Sequence, residues 1–385
     1  MTRNSSNDTK SLSVAHEQPL RVLHLITEKT WRGGENQVRF LLEHSPEEIE
    51  WHVAAPEGSM AASRLKGLSQ ISFLETKGFA LMRSVLELNR YCTAHGIDII
   101  DCQTSKAHSI GLCLKWLDKT RKLVVHRRVD FMPSKNRFSR KKYMSPLVDR
   151  YIAISDAIAA ILCDYGISAN KITTVHSAVD DSSFKDIDKA QAKAALCKEL
   201  GINPAIPLIS NVAYHTEQKG QETLIKALGI LKTQNQPFQC LLAGSGHLTP
   251  GLKELSTQLG LSDSVHFLGI RNDVAKILAA SDIFAFPSNK EGLGTSLLDA
   301  SHAGCAIAAS NVGGIPEIVI QGQTGLLSPV KDEVVFAENL STLLNDQDFA
   351  RSLAKRAKEH VQKNFSVQTM AAGNVKVYRE LLLNR

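Results

Sequence analysis

Paired cysteines are missing from this sequence. Its seven cysteines, Cys92, Cys102, Cys113, Cys163, Cys197, Cys240 and Cys305, are scattered, mostly in apolar patterns, and never fall at C-x-x-C spacing. That argues against a disulfide framework and a structural zinc site, and it favours a reducing compartment. No apolar run is long enough to span a bilayer, and residues 1–19 are too polar for a secretory signal, so they read as a disordered lead-in. The expected location is cytoplasmic, with the inner face of a membrane left open. Strings suited to divalent ions are scarce as well. Asp186-Ile187-Asp188 and Asp346-Gln347-Asp348 fall in polar, helix-compatible connections and read as surface charge, so no metal site is expected.

What is present is a globular composition, 43% apolar and 22% charged, over 385 residues. That length accommodates two ordinary hydrophobic cores, although one extended domain also fits it. The net charge of +6 matters less than its placement, because basic residues concentrate between Lys115 and Lys142, including Arg121, Arg127, Arg128, Arg137, Arg140 and Lys141. Such a run suits a polyanion, an anionic membrane surface or a phosphorylated acceptor, and a solvated face explains it equally well. Nucleic acid is not an expected partner.

Strand signals at Leu20 to Ile26, Trp51 to Ala55, Ile97 to Cys102, Lys122 to Val125, Arg150 to Ile154 and Ile172 to Val175 alternate with helix-like stretches. The alternation pauses over the polar stretch Lys185 to Leu200. It restarts at Ile206 to Val212, then Phe238 to Ala243, Val265 to Leu268, Ile283 to Phe286, Ala306 to Ala309 and Gly325 to Leu327. Repeated strand and helix means α/β with parallel sheets, and the pause divides it into two Rossmann-like domains, 20–190 and 191–385, facing across a cleft. The helical stretch Gln347 to Leu383 has a break near Phe365, which leaves open a return of the last helix to the first domain.

Several turns at predicted strand ends have the composition of ligand sites. Gly33-Gly34 opens a helix and lets a phosphate or oxyanion approach its backbone amides; a purely structural loop fits the same residues. Gly244 and Gly246 follow a strand and admit either reading. Lys219, beside Gly220, offers a point charge to a diphosphate or is an exposed loop lysine.

The most informative segment runs from Pro287 to Ala303. It bends at Gly292 and Gly294 and then becomes helical at Thr295, which presents Glu291 ahead of the amides of Thr295, Ser296 and Leu297. A sugar hydroxyl at the carboxylate and a diphosphate at the helix end use both features. Asp299 follows Glu291 by eight positions, at most ~12 Å along a helix, a reach suited to a sugar and a ribose rather than to adjoining catalytic carboxylates, with plain surface charge as the alternative. Glu317, after Gly313 and Gly314, either binds ligand or favours a helix start. Among the histidines, His126 ends a probable central strand beside Arg127 and Arg128. It is the candidate for proton handling, and Arg128 is a candidate ligand contact.

In their order and spacing, Ala-Gly-Ser-Gly, Val-His-Phe-Leu-Gly, Ser-Asp-Ile-Phe-Ala-Phe-Pro-Ser, Glu-Gly-Leu-Gly, Asn-Val-Gly-Gly-Ile-Pro-Glu and Gly-Leu-Leu-Ser-Pro resemble the retaining glycosyltransferases of the GT-B fold, family 4 type. The resemblance covers most of Leu20 to Leu383. It implies a nucleotide diphosphate sugar as donor, no other cofactor, and a glycan, lipid-linked sugar or lipopolysaccharide-like acceptor. By the same resemblance, Gly34 helps form the phosphate region, Lys219 neutralises the diphosphate, Glu291 contacts the transferred sugar, and the Thr295 to Leu297 amides hold phosphate oxygens. Asp299 stands where glutamate is usual at the ribose. The family's usual arginine before the loop lysine is replaced by Ala213 and Tyr214, and the usual histidine-glycine setting is altered around His126. A sugar-nucleotide epimerase of the same architecture and a non-catalytic nucleotide-sugar-binding protein are the rival readings.

Overall fold

The computed structural model describes residues 19–31, 33–46, 48–68, 71–76 and 81–383. All but the last residue of the expected lead-in therefore lies outside the described residues.

The first sheet contains β1 (Leu20–Leu25), β2 (Ile49–Pro56), β3 (Ile71–Thr76), β4 (Ile99–Cys102), β5 (Lys122–Arg127), β6 (Arg150–Ala153) and β7 (Ile172–Thr174), in the order β3-β2-β1-β4-β5-β6-β7. The second contains β8 (Leu208–Val212), β9 (Gln239–Ala243), β10 (Val265–Gly269), β11 (Ile283–Phe286), β12 (Ala306–Ser310) and β13 (Leu326–Ser328), in the order β10-β9-β8-β11-β12-β13. All pairings are parallel. Helices cover both faces, so central strands such as β4 and β11 are buried along their whole length. Two Rossmann-like α/β units of this kind form a GT-B fold.

Strand β3 is a correction to the sequence reading, which has no strand there. It is an edge strand in which most side chains are only partly buried, so its apolar signal is weak. The polar pause resolves into helix Lys189–Leu200, capped by the Asp188 carboxylate and ended by Gly201 in the left-handed region at φ +67°.

Helix Gln347–Asn364 stops before Phe365, and the final helix Val367–Leu383 lies on the first domain. Its Val367, Met370, Val375, Val377, Tyr378 and Leu381 share a core with Val22, Phe40 and Trp51. At roughly 1.5–3 kcal/mol per fully buried apolar side chain, this contact is ample to hold the helix there. The two chain crossings between domains run side by side, with Val179 N–H donating to Phe365 O at 3.0 Å.

A second link closes the domains on each other. Helix Asp156–Asp164 of the first domain is capped by its own Ser155, whose hydroxyl also donates to Gly292 O at 2.6 Å. Glu317 reaches over from the second domain and accepts from the amides of Asp156 (2.9 Å) and Ala157 (3.0 Å), while His176 Nε2 lies 2.7 Å from the same carboxylate. Glu317 therefore favours a helix start, but of a helix in the opposite domain. Asp156, His176 and Glu317 bring potential ligand atoms within 4.8 Å of one another, and this capping arrangement accounts for their convergence.

Candidate active site

Strand order reverses between β1 and β4 in the first sheet and between β8 and β11 in the second. Ligands of open parallel sheets bind beyond the carboxyl ends of strands at such switch points. The loops after β1, β4, β8 and β11 carry Gly33-Gly34, Gln103, Lys219 and Glu291, so the sites expected from sequence collect at the facing switch points.

Backbone packing brings Lys219 and Glu291 together. Gly220 has φ +64°, and a Cβ there would lie 2.0 Å from Pro287 O, so the lysine loop presses directly on the loop after β11. Asn289 ties the two further, its N–H donating to Gln218 O at 2.7 Å and its side chain to Glu217 O at 2.6 Å. On the other side, a Cβ at Gly313 would lie 1.8 Å from Glu291 O, and one at Gly314 would lie 2.3 Å from Gly292 O. The glutamate loop is thus clamped between two glycine turns. Lys219 Nζ stands 2.5 Å from Glu291 Oε2, with both side chains partly open to the cleft.

Behind Glu291, Gly294 at φ +95° caps helix Thr295–Ala303. Leu297 N–H already donates to Gly294 O at 2.9 Å, which corrects the expectation that three amides are free. Thr295 and Ser296 are left with amides that have no acceptor among the described residues. This helix start faces that of Gly33–Glu43 across the cleft: a Cβ on Gly33 would come within 4.0 Å of Thr295 Oγ1, and one on Gly34 within 3.3 Å of Arg128 Cδ.

Asp299 lines a cavity of about 690 Å³ with Gly33, Asn36, Arg39, Asp180, Lys276 and Thr295. Burial in the closed cleft, reinforced by the Asp180 carboxylate, raises its pKa to about 7. A neighbouring cavity of about 330 Å³ is lined by Tyr214, Lys219, Gly244, Ile270, Arg271 and Ser296. Arg271 is held by Glu199 at 2.5 Å and Asp273 at 2.8 Å.

Gly244 and Gly246 answer mainly to packing. A Cβ would lie 1.9 Å from Ala213 O at the first and 2.2 Å from His215 O at the second, so they seat one loop on another. Gly292 likewise packs on the opposite domain, 3.3 Å from Arg128 O at its would-be Cβ.

His126 is 7% exposed, and both ring nitrogens face protein groups: Nε2 is 3.0 Å from Asp101 Oδ2, and Nδ1 is 3.4 Å from Arg128 Nη2. Asp101, Gln103, His24 and Tyr378 complete this buried cluster, and sequence reasoning missed their convergence. Asp101 has a visible signal, a carboxylate inside an apolar strand at a switch point. Tyr378 has none, since it lies 277 residues from the carboxylate it contacts.

The basic run divides between internal and exposed residues. Lys115 pairs with Asp149 at 3.0 Å, Arg121 donates to Asn89 and Thr93, Arg127 donates to Tyr143, and Lys142 donates to Ser105. Lys119, Lys135, Arg137, Arg140 and Lys141 stay exposed, beside Phe131 and the 88%-exposed Phe138.

The facing sheets and their shared cleft define a protein of the GT-B class. Residues 31–183 match the family described as Glycosyltransferase Family 4, and residues 193–360 match Glycosyl transferases group 1. The chain belongs to these group 1, family 4 type glycosyltransferases. It is 30% identical over 217 residues to the N-acetyl-alpha-D-glucosaminyl L-malate synthase of Bacillus anthracis, covering 56% of each chain. It is 27% identical over 239 residues to an N,N'-diacetylbacillosaminyl-diphospho-undecaprenol alpha-1,3-N-acetylgalactosaminyltransferase of Campylobacter jejuni, covering 61% of each. The matches span little more than half the length of these curated relatives. Among solved structures, HepE of Anabaena in complex with UDP has a TM-score of 0.81 at 22% identity, covering 94% of this chain and 100% of that one. A glycosyltransferase of Rickettsia africae has a TM-score of 0.82 at 19% identity, covering 96% and 100%.

Proposed function

We propose that this protein is a retaining glycosyltransferase that moves a sugar from a nucleotide diphosphate sugar to a hydroxyl of a glycan, a lipid-linked sugar or a lipopolysaccharide-like acceptor. The observation that carries this reading is the Lys219–Glu291 pair beside the Thr295 and Ser296 amides, which have no acceptor among the described residues. The amides and the ammonium offer positive potential to a diphosphate, and the carboxylate accepts from hydroxyls of the sugar attached to it.

In the reaction, the bond from the anomeric carbon to the phosphate oxygen breaks. The acceptor oxygen bonds to the same face of that carbon, and the leaving phosphate takes the acceptor proton. Charge builds on the phosphate, where the fixed amides and Lys219 stabilise it without reorganising. Asp299 accepts from a ribose hydroxyl in its ionised form. No step calls for a divalent ion, because the diphosphate charge meets protein cations and amides. The HepE complex with UDP and the Campylobacter relative's name support a nucleotide-sugar donor and a lipid-linked acceptor, respectively.

No helix among the described residues is long and apolar enough to cross a membrane. The exposed basic residues with Phe131 and Phe138 fit peripheral contact with an anionic membrane surface that carries the acceptor. The test is a panel of UDP- and GDP-sugars offered with a mixed acceptor extract, with and without chelator, read by mass. Transfer that persists in chelator is expected. Loss restored specifically by a divalent ion overturns the metal-independent mechanism, and isomerised donor without transfer turns the reading to an epimerase.

A further inference from the structure

One buried carboxylate organises the first domain's side of the cleft. Asp101 is the penultimate residue of β4 and has no solvent exposure. Its Oδ1 accepts from Gln103 Nε2 at 2.9 Å. Its Oδ2 accepts from His126 Nε2 at 3.0 Å and from the Tyr378 hydroxyl of the final helix. These bonds fix what the partners present on their far sides. A Gln103 amide that points its NH2 at Asp101 turns its oxygen to Arg128, and Oε1 is 3.0 Å from Arg128 Nη2. A His126 ring that carries its proton on Nε2 turns the Nδ1 lone pair to the same Nη2, at 3.4 Å. A single anion thus sets both an amide orientation and an imidazole tautomer, and both grip one guanidinium.

His24 supports the cluster as a neutral ring. Burial outweighs the attraction of Asp101 and lowers its pKa to about 4, and the ring stacks on Trp51 at 5.3 Å. Burial pushes the Asp101 pKa up, but the His126, His24 and Tyr378 contacts overcome it, so the carboxyl titrates below its ordinary range.

The guanidinium held this way lies where a ligand needs it. Arg128 Cδ is 3.3 Å from a Cβ built on Gly34, and the adjoining Gly33 faces Thr295 at the amide pair. Arg128 Nε is buried and has no hydrogen-bond partner among the described residues. In the second domain, Arg271 is committed to two carboxylates, and Lys219 is balanced by Glu291.

We propose that Arg128 is a second cation for the donor diphosphate, and that Asp101 and Tyr378 are positioning residues that aim it through Gln103 and His126. The inference rests on the donor reading given above. It makes the returning helix part of the active site, since Tyr378 is the contact through which that helix holds the carboxylate. It also gives His126 a role in aiming Arg128 rather than in direct proton transfer.

The test is a cycle of Tyr378→Phe, Arg128→Gln and the double variant, with UDP and GDP binding read by calorimetry and the His126 tautomer by nitrogen NMR. Tyr378→Phe keeps the ring, so the helix stays packed; circular dichroism confirms it. Arg128→Gln is expected to weaken nucleotide binding about 30-fold or more, and Tyr378→Phe about threefold to tenfold, each through loss of a hydrogen bond at a charged group. The double variant is expected to bind no more weakly than Arg128→Gln alone. The His126 Nε2–H tautomer should dominate in the wild type and give way to a mixture in Asp101→Asn, whose amide no longer fixes the proton on Nε2. Multiplying losses, or an unchanged tautomer with unchanged affinity, overturns the proposal. A wild type that binds nucleotide but transfers no sugar overturns the transfer reading alone, and one that binds neither UDP nor GDP overturns both.

Discussion

Replacing Lys219 by alanine separates chemistry from folding. In the resting protein the lysine is 26% exposed and its Glu291 partner 13% exposed at their side chains, so the pair is a partly solvated one. Pairs of this kind contribute about 0–1 kcal/mol to stability, equivalent to a shift of a few degrees at most in Tm for a chain this long. The same ammonium beside a developing phosphate charge at ~4 Å interacts by about 4 kcal/mol at an effective dielectric of 20. Removing one preorganised donor of this type costs about 2.7–4 kcal/mol, or about 10²–10³ in kcat. The prediction is a folded variant with kcat reduced by that factor and nucleotide affinity reduced far less, since the Thr295 and Ser296 amides stay in place. Circular dichroism, UDP and GDP calorimetry and product-resolved turnover on one preparation make the comparison. A kcat within threefold of wild type in a folded Lys219→Ala, at saturating donor and acceptor, refutes the reasoning.

Three further outcomes follow from the same geometry. Asp299 has a pKa raised to about 7 from an ordinary 3.8, so the folded state binds the extra proton between those values and loses stability as pH rises through that window. Asp299→Asn should therefore gain thermal stability over wild type as pH rises from 4 toward 8, and wild type should show a fall in donor KM as pH rises through 7 that Asp299→Asn lacks; parallel pH profiles contradict the ribose role. Glu317→Gln weakens a charged cap across the domains, for about 0.5–2 kcal/mol, and scattering should show a larger radius of gyration in the unliganded variant; an unchanged radius and Tm contradict the clasp. Replacing Arg137, Arg140 and Lys141 by glutamine should weaken binding to anionic vesicles most at low salt, because surface attraction is screened, and unchanged binding favours a plain solvated face.

Much of this architecture was legible because parallel strands buried on both faces print continuous apolar runs, as at Ile283–Phe286 and Ala306–Ala309. The edge strand Ile71–Thr76 was not, since partial exposure dilutes the same signal. Lys219, Glu291 and the helix start at Thr295 were readable because each stands beside a glycine that shapes a turn at a strand end. What those glycines do was less readable: Gly244, Gly246, Gly313 and Gly314 exist for close backbone contacts between loops distant in sequence. The charge run between Lys115 and Lys142 misled in part, because a lysine's long chain reaches a buried carbonyl or a carboxylate as readily as water, as Lys115 does at Arg121 O and Asp149. The contact of Tyr378 with Asp101 depends on the return of the last helix to the first domain, and that of Glu317 with the Asp156 amide on how the two domains close; no local pattern encodes either.

The central claim is sugar transfer with retained configuration at the Lys219–Glu291 cleft, and proton NMR of the product's anomeric centre tests it most directly. Wild-type protein in chelator, supplied with the donor and acceptor that the panel selects, should give a new glycoside whose first-formed anomer matches the donor's, and Glu291→Gln should form it far more slowly while staying folded. An inverted anomer contradicts the retaining mechanism, and an undiminished rate in folded Glu291→Gln contradicts the placement of the site.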